Sequence, residues 1–372
     1  MPDKFSPYDI VSSGLRSLRP YDPGKPIEEL EREYGVRNAI KVASNENPLG
    51  ASPKVIRLIA NTSSQIHRYP DGSGHDLKNE LAVRHNVGAD QICLGNGSND
   101  VLDLLARVFV KPGQEGVISR HAFIVYYLSL IYAHAKARVV DAKNYGHDLE
   151  AMANAVSDDT AIMFIANPNN PTGTWSTEGQ LRQLLNKVPS QVIVVVDEAY
   201  AEYTEQPQYP DCTQWLADYP NLVVTRTFSK IYGLAGMRIG YSVSSPQIND
   251  LMNRVRHPFN CNSLAMSAAL AALEDTDHTE RSRQLNREQM QYLRNGFSQL
   301  QLDTIESVGN FICVDLNGPA IPAYESLLGL GVITRPVGGY EMPNHLRVSV
   351  GTEAENLRVM EAFEKLKELK II

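Results

Sequence analysis

The chain has 372 residues, of which 43% are hydrophobic and 21% charged, a balance typical of a globular protein with a large core. Its formal net charge of −8 makes a basic face for nucleic acid unexpected, although a local anion site is compatible with it. No apolar run is long enough for a membrane helix or a signal peptide, and the four cysteines and nine histidines form no metal-ligand set, so we expect a cytoplasmic protein without a metal.

Short apolar runs alternate with amphipathic stretches from about residue 92 onward, after a first segment of 44 residues with a mixed, turn-rich pattern. The apolar runs predict strands at QICLG (91–95), EGVIS (115–119), AIMFIA (161–166), QVIVVVDEAY (191–200), NLVVTRTFS (221–229) and RIGYSVS (238–244). The amphipathic stretches predict helices at 98–110 and 177–188, the second with Thr177 as its N-cap. Strand, helix and strand in repetition predict a doubly wound α/β sheet.

A different pattern begins near residue 275, where a long polar amphipathic helix is predicted over 277–300. Three apolar runs follow it and predict strands at 310–316, 331–336 and 346–351. These elements indicate a smaller α+β unit. We therefore predict a large domain at 45–275 and a small domain made of 1–44 and 276–372.

Polar residues follow the predicted strands at their carboxyl ends. They are Asn167–Gly173 after one strand, Asp197, Glu198 and Tyr200 after the next, and Thr227, Ser229 and Lys230 after a third. The glycine-containing turn at 95–100 follows a fourth strand and opens a helix, whose N-terminus favours an anion. Because ligands of open α/β sheets bind at the carboxyl ends of the strands, we expect these residues to meet in one crevice.

The crevice so defined contains a lysine, a carboxylate and an anion site. Lys230 at the end of a buried strand is partly removed from water, which favours the neutral amine that attacks a carbonyl. Asp197 follows five apolar residues, and a buried carboxylate there needs a cationic partner such as a protonated pyridine nitrogen. The residues expected to hold a dianionic phosphate are Ser98, Asn99, Ser229 and Arg238. A carbonyl, a pyridinium and a phosphate together describe pyridoxal 5′-phosphate (PLP).

With these motifs in order, the chain resembles the fold-type-I PLP-dependent aminotransferases, and within them the histidinol-phosphate aminotransferase family. The residues that support the resemblance are SNENPLG (44–50), RYPDGSG (68–74), GNGSND (95–100), NPNNPTG (167–173), VDEAY (196–200), FSKIYGLAGMRIGY (228–241) and LRVSVGT (346–352). Each motif alone is weak, but together they are specific and cover nearly the whole chain. The resemblance implies a large doubly wound mixed-sheet domain with a smaller α+β domain, and a homodimer with shared active sites.

The resemblance also implies a role for each matched position in binding the cofactor. Lys230 would form the imine with PLP and move the proton, and Asp197 would pair with the pyridine nitrogen. Asn170 and Tyr200 would hydrogen-bond the ring oxygen, and Phe123 would stack on the ring where many relatives have tyrosine. The phosphate would be held by Ser98, Asn99, Ser229, Arg238 and Tyr69 of the partner subunit.

For the substrates, the resemblance implies that Arg347 binds a carboxylate. The rest of the substrate site would be lined by Tyr21, Asn47 and Arg335. The expected reaction transfers the amino group of histidinol phosphate to 2-oxoglutarate, which yields imidazole-acetol phosphate and glutamate in histidine biosynthesis. Two alternatives share the cofactor motifs, an aromatic amino acid aminotransferase and a phospho-amino-acid decarboxylase. A non-enzymatic regulator of the same fold would have an added DNA-binding module, which does not suit this acidic chain.

Each of these residues also has an ordinary structural interpretation. Asp197 could cap a helix after its strand, and Asn170 could be a turn residue in a cluster of Asn, Pro and Gly. The turn at 95–100 could be a simple helix start, although it lacks the third glycine of a dinucleotide fingerprint and the lysine of a P-loop. Packing or solvent exposure alone could explain Phe123, Tyr69, Tyr21 and Arg335.

Overall fold

The structure is a computed structural model that describes residues 5–18, 20 and 24–372. Its α-helices in chain order are α1 (Ser13–Ser17), α2 (Ile27–Tyr34), α3 (Pro53–Thr62), α4 (His75–His85), α5 (Ser98–Phe109), α6 (Ile124–Tyr132), α7 (Leu149–Asn154), α8 (Glu178–Lys187), α9 (Pro246–Val255), α10 (Ser263–Leu273), α11 (Thr276–Gln299), α12 (Ala320–Gly329) and α13 (Glu353–Glu368). Its β-strands are β1 (Ile40–Lys41), β2 (Ile92–Gly95), β3 (Glu115–Ser119), β4 (Lys136–Val140), β5 (Thr160–Ala166), β6 (Ile193–Asp197), β7 (Leu222–Thr227), β8 (Gly240–Ser244), β9 (Thr304–Ile305), β10 (Phe311–Asp315), β11 (Val332–Ile333), β12 (Arg335–Pro336) and β13 (His345–Ser349). None of the described helices has the length and apolarity needed to cross a membrane.

Seven of the described strands form one large sheet, in the order β2-β8-β7-β6-β5-β3-β4. Neighbouring strands are parallel except where β8 pairs with β2 and β7, which makes the sheet mixed. Helices lie between most of the parallel strands along the chain. The prediction of a doubly wound α/β sheet is therefore confirmed.

The large sheet is buried on both faces. Along β6, Val194 and Val196 belong to the apolar cluster on one face, which α8 and α10 join. Val195 points to the other face, where it meets the cluster that includes Tyr126 of α6 and Met252 of α9. A strand buried on both faces is a continuous apolar run rather than an alternating one, which is why the sequence predicts β5 and β6 correctly.

A second apolar core underlies a smaller sheet. Among the described strands, that sheet is antiparallel and has the order β12-β13-β10-β9. Buried residues of α11, α12 and α13 pack in its core, among them Phe297, Leu327 and Phe363. This is the smaller α+β unit that the sequence predicts, whereas the domain bounds at 45–275 stay a prediction.

The run GVITRP (331–336) does not form the single strand that its composition predicts. Its first part, β11, pairs with β1 in a two-stranded parallel sheet, and its second part, β12, pairs with β13. The chain changes partners at Thr334, which is buried. The prediction of one strand is wrong here. An apolar run indicates that its residues are buried, but it does not indicate which strand each residue pairs with.

Candidate active site

A cavity of about 260 Å³ lies at the carboxyl edge of the large sheet, where the small sheet meets it. Residues that follow β2, β5, β6 and β7 line this cavity together. Of the residues predicted for the site, the structure places these in its wall: Ser98, Asn99, Phe123, Asn170, Asp197, Tyr200, Ser229, Lys230, Arg238, Arg335 and Arg347. The four strand ends therefore meet in one crevice, because parallel strands end at the same edge of a sheet.

Lys230 lies just beyond the end of β7 and is half-buried in the cavity wall. Its Nζ donates to the backbone carbonyl oxygen of Ser44 over 3.3 Å. The same Nζ lies 5.4 Å from the centre of the Tyr200 ring. These contacts hold the amine between the end of β6 and the segment at 43–46, where a carbonyl group in the cavity can reach it.

Asp197 is the buried carboxylate of the site, and 5% of its surface is exposed. Its Oδ2 accepts a hydrogen bond from the Tyr126 hydroxyl over 2.8 Å, and its Oδ1 accepts one from Thr225 Oγ1 over 2.9 Å. Burial raises the pKa of the Asp197 carboxyl, while these two hydrogen bonds and the charge of Lys230 oppose the rise. A buried carboxylate is stabilised by a cation close to it, which a protonated ring nitrogen of a ligand provides.

Tyr126 and Thr225 are contacts of Asp197 that the sequence does not predict. Thr225 faces Asp197 across the paired strands β6 and β7, which only the register reveals. Tyr126 is separated from Asp197 by 71 positions. The one local signal is that Tyr126 follows Phe123 by about a helical turn, and the two rings meet edge-on with centres 5.8 Å apart.

The N-terminus of α5 forms an anion-binding corner with Arg238 and Ser229. Arg238 Nη1 donates to Ser229 Oγ over 3.4 Å. A Cβ on Gly97, whose φ is +88°, would lie 2.4 Å from Arg238 Nη2, and one on Gly240 would lie 2.4 Å from the Ser98 backbone nitrogen. Glycine therefore lets the guanidinium and the first N–H groups of α5 approach each other, and this donor set fits a phosphate.

Hydrogen bonds also orient the two residues predicted to bind a ring oxygen. The buried Tyr200 hydroxyl accepts from Asn45 Nδ2 over 2.9 Å, so its own hydrogen can be donated to a ligand. Burial raises the pKa of Tyr200, opposed by the charge of Arg347, so the hydroxyl stays neutral. Asn170 Oδ1 accepts from Arg347, which leaves its NH₂ group as the donor that it can offer. Asn45 belongs to the SNENPLG motif, but its role was not predicted.

Arg335 and Arg347 occupy paired positions of β12 and β13. Directly opposed residues of an antiparallel pair leave the same face of the sheet, and both arginines line the cavity. Arg347 is buried, its Nη2 donates to the Ala43 carbonyl oxygen over 2.6 Å, and its Nε has no hydrogen-bond partner among the described residues. A buried guanidinium with an unused donor is suited to a carboxylate or a phosphate.

Two predicted residues lie away from the cavity wall, and a third, Tyr21, falls outside the residues that the structure describes. Asn47 Nδ2 donates both of its hydrogens within the protein, to the Ile231 carbonyl oxygen over 2.7 Å and to Ser282 Oγ over 2.8 Å. The Asn47 amide is therefore used within the protein, while its contact with substrate stays a prediction. Tyr69 is 83% exposed and stacks on Phe259, so within one chain it is a surface residue.

The fold together with this site defines the class of protein, because the family model for aminotransferase class I and II matches residues 37–363. The histidinol-phosphate aminotransferase 2 of Pseudomonas fluorescens is 54% identical over 359 residues, which cover 96% of this chain and 97% of that protein. The histidinol-phosphate aminotransferase 1 of Nitrosococcus oceani is 52% identical over 361 residues, which cover 97% and 98%. The chain therefore belongs to the histidinol-phosphate aminotransferase family.

A solved structure supports the same assignment. The crystal structure of histidinol-phosphate aminotransferase from Sinorhizobium meliloti in complex with PLP has a TM-score of 0.88 and 28% sequence identity, and the match covers 98% of each chain. The donor set of the present cavity fits that cofactor group by group. An amine stands where an aldehyde can be bound, a buried carboxylate suits a ring nitrogen, and the α5 corner suits a phosphate.

Proposed function

We propose that this protein is a PLP-dependent histidinol-phosphate transaminase that acts in histidine biosynthesis. It transfers the amino group of histidinol phosphate to 2-oxoglutarate and releases imidazole-acetol phosphate and glutamate. The observation that supports this most directly is the cross-strand pair of Arg335 and Arg347 in a cavity that also contains Lys230 and Asp197. Membership of the family agrees with the same reaction.

The cavity residues divide between the parts of the cofactor. Lys230 is the point of covalent attachment, Asp197 pairs with the ring nitrogen, and Phe123 packs on the ring. Asn170 and Tyr200 donate to the ring oxygen. The phosphate is held by Ser98, Asn99, Ser229 and Arg238. When bound, PLP supplies an aldehyde that takes up the amino group and a protonated ring that withdraws electrons from the substrate α carbon.

The proton transfer is the work of Lys230. Its Nζ takes the proton from the substrate α carbon, and its contacts with the Ser44 carbonyl and the Tyr200 ring keep it at the cavity wall. Asp197 keeps the ring nitrogen protonated. Tyr126 and Thr225 each hold one oxygen of that carboxylate, so its orientation does not depend on the ligand.

The two arginines allow one site to accept two different substrates. Glutamate has two carboxylates, whereas histidinol phosphate has a phosphate and no carboxylate. Arginine suits both anions because its N–H groups match carboxylate and phosphate oxygens alike. We therefore assign Arg347 to the α-carboxylate of glutamate and, in the other half-reaction, to the phosphate, and Arg335 to the distal anionic group.

Arg347→Ala should weaken both half-reactions, because the arginine contacts an anion of each substrate. Loss of a desolvated ion pair costs about 2–5 kcal/mol, so kcat/KM for histidinol phosphate and for glutamate should each fall by roughly 30-fold or more. Steady-state kinetics with each substrate measure this. Arg281→Ala removes an exposed arginine outside the cavity wall and should change neither value by more than a small factor.

The same kinetics separate the proposed reaction from its two alternatives. Wild-type protein should favour histidinol phosphate over phenylalanine and tyrosine in kcat/KM. A preference for phenylalanine would leave only an aromatic aminotransferase. Release of CO₂ without transfer of an amino group would indicate a phospho-amino-acid decarboxylase.

We further propose that the enzyme is a homodimer in which the partner subunit's Tyr69 completes each phosphate site. Tyr69 and Phe259 form an aromatic pair on the surface, with ring centres 4.8 Å apart and Tyr69 83% exposed. Two-fold symmetry would place the same pair at both sites. The four cysteines are all free and buried, which agrees with a reducing compartment, and we place the enzyme in the cytoplasm.

Mixing Lys230→Ala chains with Tyr69→Ala chains should restore activity, provided that each variant alone is severely impaired. One of the two sites in every mixed dimer then combines an intact Lys230 with an intact Tyr69, so random exchange should give about a quarter of wild-type activity. Mixing Lys230→Ala chains with chains that carry both substitutions is the control and should restore nothing. If subunits exchange but activity stays absent, each site is built within one chain.

A further inference from the structure

Among the described residues of the cavity wall, the charged side chains are mostly cations. They are Lys230, Arg238, Arg335 and Arg347, against two carboxylates, Asp197 and Glu46. Asp197 is buried and already accepts hydrogen bonds from two side chains. Glu46 is therefore the one carboxylate of the described cavity wall whose role is not explained by the cofactor.

The backbone at Glu46 is fixed on both sides. Asn310 Nδ2 donates to the carbonyl oxygens of Asn45 over 3.0 Å and of Glu46 over 3.2 Å. The Asn45 backbone N–H donates to Ser349 Oγ over 2.8 Å, and Asn47 is tied by the hydrogen bonds described above. The loop thus presents Glu46 from a rigid frame, which is what a side chain that selects a ligand requires.

The Glu46 side chain itself is exposed at the cavity and has no hydrogen-bond, ion-pair or ring contact with the described residues. Its two neighbours in sequence, Asn45 and Asn47, are by contrast buried, and their side-chain amides hydrogen-bond within the protein. An ionised carboxylate is an acceptor only, so its natural partner is an N–H donor or a cation.

We propose that Glu46 recognises the imidazole ring of the substrate by accepting a hydrogen bond from a ring N–H. This inference rests on the proposed function and names the group that selects between the two substrates. The amino group of histidinol phosphate goes to the cofactor beside Lys230, and its phosphate goes to the arginines. The imidazole is the remaining polar group, and the described wall offers one carboxylate to receive it.

The chemistry of the ring favours this pairing over the alternatives. An imidazole of ordinary pKa near 6.5 is always an N–H donor and is partly cationic at neutral pH, so a carboxylate binds it with a charge-assisted bond. Glutamate and 2-oxoglutarate offer no such donor and have an extra carboxylate, which Glu46 repels. Glu46 therefore favours binding of histidinol phosphate and disfavours binding of glutamate and 2-oxoglutarate.

Glu46→Gln in the holoenzyme should lower kcat/KM for histidinol phosphate by about 5- to 10-fold, chiefly through KM, because the amide oxygen still accepts from the ring N–H but without the charge that strengthens the bond. The glutamate half-reaction should be unchanged or faster. Phenylalanine, whose ring has no N–H, should be used equally by variant and wild type. Glu46→Asp keeps the charge but places it one methylene further from the ring. Its kcat/KM for histidinol phosphate should lie between those of Glu46→Gln and the wild type. Glu361→Gln removes an exposed charge outside the cavity wall and should match the wild type.

Each outcome decides the inference. Equal losses for histidinol phosphate, glutamate and phenylalanine would mean that Glu46 only supports the loop, and no loss for any substrate would mean that it does not touch the imidazole. Either result overturns the inference while the proposed reaction stands. If wild-type protein does not transaminate histidinol phosphate at all, the proposed function fails, and the imidazole assignment fails with it.

Discussion

Lys230→Ala should abolish amino-group transfer, with a loss of about 10⁴-fold or more, the upper end for removal of a general acid–base group. The loss is expected to be this large because the same amine both attaches the cofactor and moves the proton, so no second residue can take over either task. Lys230 is the lysine of the described cavity wall, at the end of β7 and near Asp197. Turnover of histidinol phosphate with 2-oxoglutarate measures the effect.

Chemical labelling tests the same residue without relying on activity. Borohydride reduction of the PLP-loaded enzyme should fix the pyridoxyl group on Lys230, as found by peptide mapping, and should label nothing in Lys230→Ala. Lys78 is the control, because burial lowers its pKa, yet it lies in α4 outside the cavity wall. Lys78→Ala should keep the label and the activity. A label on any other lysine, or full turnover in Lys230→Ala, would contradict the assignment.

Asp197→Asn should leave the fold largely intact and reduce proton abstraction by orders of magnitude. An amide is the same size as the carboxylate, and Tyr126 and Thr225 can still reach it, but it cannot keep a ring nitrogen protonated. Stopped-flow measurement of the half-reaction with glutamate reports the loss. A reduction of less than about tenfold, roughly 1.4 kcal/mol, would mean that the essential carboxylate lies elsewhere.

The raised pKa of Asp197 also sets the sign of a pH effect in the cofactor-free protein. A carboxyl whose folded pKa exceeds its unfolded value binds more protons when folded between those two values, so its contribution to the free energy of unfolding falls as pH rises through that window. At neutral pH, wild-type apoprotein should therefore be no more stable than Asp197→Asn apoprotein. PLP should raise the melting temperature of the wild type by more than that of Asp197→Asn, because only the carboxylate pairs with a protonated ring nitrogen. A larger gain for the variant would argue against the pairing with the ring nitrogen.

Local patterns were sufficient for most of the large sheet. β5 and β6 are buried along nearly their whole length, so their apolar runs stand out against the helices between them. The α8 helix begins after Thr177, the predicted N-cap, and the structure shows that its side chain forms a capping box with Gln180. By contrast, β4 lies at the edge of the sheet and is half-exposed, so its pattern did not predict a strand.

The residue types of the site were also predictable, because catalytic groups of α/β proteins follow the strands. Lys230, Asp197 and the α5 turn each come directly after a buried run, and that position alone identifies the edge where they meet. The family motifs then gave each position an expected role. These roles depend on local sequence order, which the chain preserves from 44 to 352.

Only the tertiary structure decided which polar side chains face the cavity and what supports them. Asn45, Glu46 and Asn47 are adjacent and similar in polarity, yet the wall includes the first two, while the amide of Asn47 is used against Ile231 and Ser282. The hydrogen bonds from Tyr126 and Thr225 to Asp197 depend on contacts between distant segments and on strand register. The pairing of Arg335 with Arg347 also depends on strand register. The sequence by itself determined the chemistry, because residue type and strand order are local. The hydrogen bonds that orient these site residues were decided by packing, because such partners are close in space but distant along the chain.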